Sequence, residues 1–165
     1  MLPLLLALVP LLLMPGLPAK ARQGAEQGKA ARVMTLPRAQ LLVLDARGQV
    51  ARRVPVEVAA TQSTRARGMM FRRSYPPDAG MLFLWRAPRR VAMWMKNTYL
   101  PLDMVFIAAD GTIVRVHENA RPHDLTPIPS QTPVIAVLEV PAGGARRLGL
   151  RPGARVKLPP PPKTP

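Results

Sequence analysis

The stretch Leu102-Asp103-Met104-Val105-Phe106-Ile107-Ala108, then Asp110-Gly111, then Thr112-Ile113-Val114-Arg115-Val116-His117, decides the reading of this chain. Two apolar, β-branched runs flank an Asp-Gly pair, and Asp-Gly readily adopts the left-handed conformations of a tight hairpin turn. The segment therefore reads as an antiparallel hairpin. Outward from it, Gln40–Asp45, Val54–Ala59, Met81–Trp85, Val91–Lys96, Val134–Val140 and Ala154–Leu158 are further short strands bounded by turn residues. Two short helices interrupt them. Thr61 to Met70 offers Thr61 as an N-cap and Gly68 as a terminator, and Ala142 to Leu148 is closed by Gly149. Many short strands and two short helices predict an α+β, β-rich domain, a small barrel-like or curled and mostly antiparallel sheet. All seven aromatic residues lie between Phe71 and Phe106, and six of the nine methionines between Met69 and Met104, so the core is expected to centre on the middle of the chain.

At 165 residues the chain is expected to hold one domain, since domains run to about 100–200 residues. Residues 1–21 read as a signal peptide. Leu2 to Leu13 is almost wholly apolar, and Ala19-Lys20-Ala21 supplies a small-x-small cleavage pattern that would start the mature chain at Arg22. The absence of Lys or Arg before Lys20 and the prolines at 3, 10, 15 and 18 keep an uncleaved anchor as the alternative. Either reading places the domain outside the cytoplasm, in the periplasm or beyond. Residues 22–38 read as a flexible lead-in, 39–158 as the β-rich domain and 159–165 as a proline-rich tail.

Without cysteine there can be no disulfide, thiolate metal site or cysteine nucleophile. The domain must be held by its apolar core, for which 48% hydrophobic residues suffice. Loss of the leader removes Lys20 alone, leaving 23 basic and 9 acidic residues, a net charge of +14. The basic residues are scattered in ones and twos without interleaved aromatics, which argues against nucleic acid as a partner. A surface that happens to favour arginine explains this charge; attraction to anionic envelope lipid or glycan is its functional reading.

Met93-Trp94-Met95-Lys96-Asn97-Thr98 and Pro101-Leu102-Asp103 place a lysine, an amide and a carboxylate in an apolar run, where unpaired polar groups are costly. If Tyr99-Leu100 centres a connection, Lys96 faces Asp103 and Trp94 faces Val105. If Asp110-Gly111 centres the next, Val105 faces Val116 and Asp103 faces Glu118. Lys96, Asp103 and Glu118 would then form one polar row, with Asn97 bonding the loop. A bulge would remove Glu118 from it. Such a row is either an ion pair that fixes a turn or the polar end of a ligand pocket. Glu139, inside the apolar run Val137–Val140, either faces solvent or meets an arginine such as Arg67. His117 and His123 lack a third ligand, so no metal site is expected, and no motif calls for a cofactor.

Together these residues closely resemble the family known as domain of unknown function 192. The resemblance runs from about Val54 to Leu158. It is carried by Val56-Glu57-Val58-Ala59, Arg67-Gly68-Met69-Met70-Phe71-Arg72, Gly80-Met81-Leu82-Phe83 and Met93 to Thr98. It continues through Pro101-Leu102-Asp103, Asp110-Gly111, Val137-Leu138-Glu139 and Ala142-Gly143. It implies a small, often exported, β-rich domain and brings no established activity, cofactor or catalytic residue. The functional expectation is thus an exported, cofactor-free binding or accessory domain of the cell envelope. Its candidate ligand-binding residues are Lys96, Asn97, Asp103, Glu118, Glu139, Arg67 and Trp94. A glycan-directed hydrolase using Asp103 with Glu139 or Glu118, or a purely structural domain, are the alternatives.

Overall fold

The computed structural model describes residues 34–162. The leader, the lead-in as far as residue 33 and the last three residues of the tail lie outside the described residues. Nine strands follow in chain order: β1 (Arg38–Leu44), β2 (Val50–Ala59), β3 (Gly80–Arg89), β4 (Ala92–Met93), β5 (Leu102–Ile107), β6 (Ile113–Ala120), β7 (Ile128–Pro129), β8 (Val134–Pro141) and β9 (Arg155–Lys157). Helix α1 (Gln62–Arg67) lies between β2 and β3, and α2 (Gly144–Arg147) between β8 and β9.

Seven strands form one sheet in the order β6-β5-β8-β3-β2-β1-β9, while β4 and β7 pair separately. All pairings in the large sheet are antiparallel except β2–β3. Parallel neighbours need a crossover, and residues 60–79, with α1, supply it. The sheet curls until its two edges meet at the predicted Asp110-Gly111 turn. There the Val156 N–H donates to the Gly111 carbonyl and the Ile113 N–H to that of Ala154, both at 2.8 Å. Gly111 has φ +85°, and a Cβ on it would fall onto the Val156 carbonyl, so this closure requires glycine. The expected curled, β-rich α+β architecture is what the chain adopts.

Strand alternation sorts the core into two layers. Leu41, Val54, Val56, Leu82, Val105, Leu138, Ile113 and Val156 pack together on the concave face, where residues of both edge strands can join one cluster. Met81, Phe83, Met104, Phe106 and Val137 lie on the other face. That face is roofed by Met69 from the crossover and by Met93 and Met95 from the segment after β3. The Met-rich middle of the sequence is this second layer.

Local signals placed α1 well. Thr61 caps it reciprocally with Thr64 (Thr64 N–H to Thr61 Oγ1, 3.1 Å; Thr61 N–H to Thr64 Oγ1, 2.9 Å), and Gly68 ends it with φ +48°. Two expectations need correction. The lead-in does not reach residue 38: Leu36 is buried against the second layer and β1 begins at Arg38. The short run Val33-Met34-Thr35-Leu36-Pro37 carries no period, so the burial of Leu36 was invisible locally. Val91–Lys96 is also no strand against β5. Only Ala92 and Met93 are extended, and they pair with β7. Both edges of β5 are already taken by β6 and β8, leaving no free ladder for that segment.

Candidate functional site

Asp103 shows how the register departs from expectation. On β5 it lies opposite Val140 of β8, and Val105 lies opposite Val116 of β6 as the turn predicts. Beyond Met104 the β5–β6 ladder slips, so that Leu102 faces Ala120. The slip brings the Asn119 N–H to Asp103 Oδ1 at 2.9 Å, and Asp103 Oδ2 accepts the Ala145 N–H at 3.0 Å. The carboxylate is 1% exposed and ties β5, β6 and the start of α2 together.

The predicted polar row therefore does not form. Lys96 is exposed and holds its ammonium 5.2 Å from the Trp94 ring, an exposed cation–π pair. Glu118 is also exposed and reaches Arg146 at 3.5 Å. Asn97 takes a left-handed conformation (φ +53°), which asparagine tolerates, and its carbonyl accepts the Phe71 N–H at 2.8 Å. The Met93–Thr98 segment is further pinned by the Met95 N–H to the Asp124 carbonyl (2.9 Å) and by Thr98 Oγ1 to the Lys96 carbonyl (3.1 Å). It is a fixed loop laid over the second core layer.

Beneath that loop is a cavity of about 690 Å3. Four of the residues singled out in the sequence line it: Arg67, Trp94, Lys96 and Glu139. Asn97, Asp103 and Glu118 do not. Glu139 sits opposite Met81 on one side and Met104 on the other, so it points into the second layer and not to solvent. It is 3% exposed, and burial alone pushes its carboxyl up to about 8. It is therefore predominantly protonated at neutral pH, able to donate a hydrogen bond as well as accept one. Asp103, one residue from Met104 on β5, projects through the opposite face of the sheet.

Sequence reasoning missed Arg65, Arg89, Arg90 and Trp85, which complete the wall. The alternation of Met81, Phe83 and Trp85 could have placed the tryptophan on Glu139's face, but only once β3 was paired with β8. Arg65 donates from Nη1 to the carbonyls of Ala60 (2.5 Å) and Leu84 (2.9 Å) and stacks 5.4 Å from the Trp85 ring. Burial, with the Arg89 charge nearby, lowers its pKa. Also unanticipated is a cluster around Glu57, opposite Met81 on the side away from Glu139. Arg72 pairs with Glu57 at 2.5 Å, and the Tyr75 hydroxyl donates to the Gly80 carbonyl at 2.8 Å. Burial, first, and then the Glu57 charge raise the Tyr75 phenol well above its ordinary value. Glu57 does not line the cavity. Among the described residues no group of three or more His, Asp or Glu side chains has the spacing of a metal site.

Comparison with known proteins places this geometry in a family. The model of DUF192, described as an uncharacterised ACR, matches residues 42–158. No curated protein matches the chain. Among solved structures, a Sinorhizobium meliloti 1021 protein provisionally assigned as a transcription regulator shares 47% identity. That match covers 76% of this chain and 97% of the other, with a TM-score of 0.71. A protein of unknown function from Novosphingobium aromaticivorans DSM 12444 is 37% identical, over 74% of this chain and 86% of its own, with a TM-score of 0.67. With the family pattern spanning nearly all of the sheet and two solved relatives of the same shape, this chain belongs to the DUF192 family.

Proposed function

We propose that this chain is an exported binding or accessory domain of the cell envelope, and that its ligand site is the Glu139 cavity. The observation that carries the binding reading is a carboxyl group kept in an apolar layer at the foot of a cavity walled by two tryptophans and several cations. Ligand sites combine an apolar wall with a few convergent polar groups in this way. The export reading rests on the apolar leader and the Ala19-Lys20-Ala21 pattern. Among the described residues no helix is long and apolar enough to cross a membrane.

The glycan-hydrolase alternative is disfavoured, because Asp103 and Glu139 project from opposite faces of the sheet and Asp103, buried and accepting two backbone amides, is not presented with the exposed Glu118 in a cavity. The regulator assignment of the Sinorhizobium relative is not carried over either. Among the described residues the helices are of six and four residues, shorter than the recognition helices that read a major groove.

Two measurements test the proposal. In a thermal-shift screen of the purified chain against envelope sugars, lipid headgroups and metal ions, at least one envelope compound should raise Tm, because a ligand of the native state stabilises it. A screen without hits would defeat the binding reading. Mass spectrometry of the protein recovered outside the cytoplasm should find Arg22 at its N-terminus. An intact Met1 on a membrane-bound product would mean an anchor, and a wholly cytoplasmic product would defeat the envelope role.

A further inference from the structure

Resting on the reading of the Glu139 cavity as a binding site, we infer that its ligand is an organic oxyanion. Its phosphate, sulfate or carboxylate would sit at a basic rim formed by Arg89, Arg90 and Lys96. Its uncharged body would run inward past Trp85 and Trp94 and present a hydrogen-bond acceptor to the Glu139 carboxyl.

Charge carries the first part. Among the described residues five basic ones, Arg65, Arg67, Arg89, Arg90 and Lys96, line the cavity, with Glu139 the one acidic residue beside them. Arg65 is committed to the backbone carbonyls of Ala60 and Leu84. Arg89, Arg90 and Lys96 are exposed and enter no ion pair among the described residues. Arg89 stands close enough to Arg65 for their like charges to oppose each other. A concave site lined by one sign of charge concentrates the opposite sign. Guanidinium groups match the geometry of phosphate and carboxylate oxygens. A cationic ligand would have to pass the same rim against repulsion.

The interior carries the second part. Below the rim the wall is apolar, with Met69, Phe83 and Met93, and ends at Glu139. A charged ligand group placed there would lie in a poor solvent and away from the arginines. An uncharged acceptor meets a protonated carboxyl that can donate to it. The other ionisable groups on Glu139's face are the lining cations, Tyr75, whose phenol it influences, Glu57 beyond Met81 and His117 beyond Met104.

The chain has two tryptophans, and both line the cavity, so its intrinsic fluorescence reports occupancy. Three quenchers with one nitroaryl body separate the charge types: 4-nitrophenyl phosphate, 4-nitrophenyl β-glucoside and 4-nitrobenzylammonium. The phosphate is expected to quench saturably at a concentration at least about tenfold below the glucoside, and the ammonium compound not to saturate. Arg90→Gln and Lys96→Gln, both at exposed positions, should each weaken the phosphate several-fold and leave the glucoside unmoved. Between pH 7 and pH 9 the wild-type affinity should fall about tenfold as the donor ionises, since apparent affinity scales with the competent fraction. Glu139→Gln, which keeps an N–H donor, should hold its affinity across that range.

Phosphatidylglycerol vesicles and soluble glycerol 3-phosphate, added as competitors, distinguish a lipid headgroup from a free phosphate ester. Displacement by vesicles alone assigns the headgroup, and displacement by the soluble ester assigns the phosphate itself. Displacement by neither overturns the inference. So does a glucoside or ammonium compound that binds as tightly as the phosphate, although that result leaves a binding cavity standing. Absence of saturable quenching by all three compounds also overturns it, and the broader binding reading then rests on the thermal-shift screen.

Discussion

Asp103→Ala is expected to destabilise the domain by about 3 kcal/mol, because it leaves one buried and one part-buried amide without an acceptor, at about 1–3 kcal/mol each. The amides are those of Asn119 and Ala145, the second of them buried, and the residue that serves both is 1% exposed. Asp103→Asn should cost about half as much, since its carbonyl can serve one amide while its NH2 group opposes the other. Urea unfolding at fixed m-value would read both changes as shifts in midpoint. Because Asp103 does not line the cavity, a ligand's affinity for the folded variant should stay within about twofold of wild type. A near-neutral Asp103→Ala would mean that the tie among β5, β6 and α2 contributes little, and the signature aspartate would need another explanation.

Glu139→Gln should do the opposite and stabilise the domain, by an amount set by pH. Burial raises this carboxyl from an ordinary value of 4.5 to about 8. Below pH 4.5 it is protonated in both folded and unfolded chains, so it imposes no penalty. As pH rises from 4.5 to 8 the unfolded chain releases the proton and the folded chain keeps it, and stability falls. Above pH 8 the penalty is constant. At about 1.4 kcal/mol per pH unit, the wild type should lose on the order of 3 kcal/mol by pH 7 and 5 kcal/mol above pH 8. Glutamine is close in shape to the protonated acid and does not titrate. The two proteins should therefore have similar stabilities near pH 4 and diverge steadily towards pH 9 in chemical unfolding. Parallel curves across that range would show that Glu139 ionises freely in the folded state. A residue retained at such a cost is what a site selected for binding tends to contain.

These two carboxylates also mark how far the sequence could be read. Both stood out as polar residues inside apolar runs, and both are buried. The sequence does not separate their roles, however, and offers both as ligand-binding candidates. Asp103, proposed as the partner of Lys96, is a structural acceptor of backbone amides. Glu139, left to face solvent or meet an arginine, lines the cavity. The choice between these roles depends on which strand lies alongside each residue, and strand neighbours are set by contacts distant in the chain. The segment before β5 seemed its natural partner because the connection is short. The edge is occupied instead by β8, from more than two dozen residues further on.

The sequence by itself determined the local grammar: the Asp110-Gly111 hairpin, the Thr61 cap and Gly68 stop of α1, the β-rich class, and the family signature. Each of these is encoded by neighbours within a few residues, through turn dihedrals, capping bonds and period-two alternation. Only the tertiary structure decided that β8 inserts between β3 and β5 and that the sheet curls until its edges meet at Gly111. The same arrangement gathers Arg67, Trp94, Lys96 and Glu139 around one cavity while sending Asp103 through the other face. The physical reason is that a ladder can pair with any compatible edge. Which edge wins depends on burying two apolar faces at once, a sum over the whole chain that no short window contains.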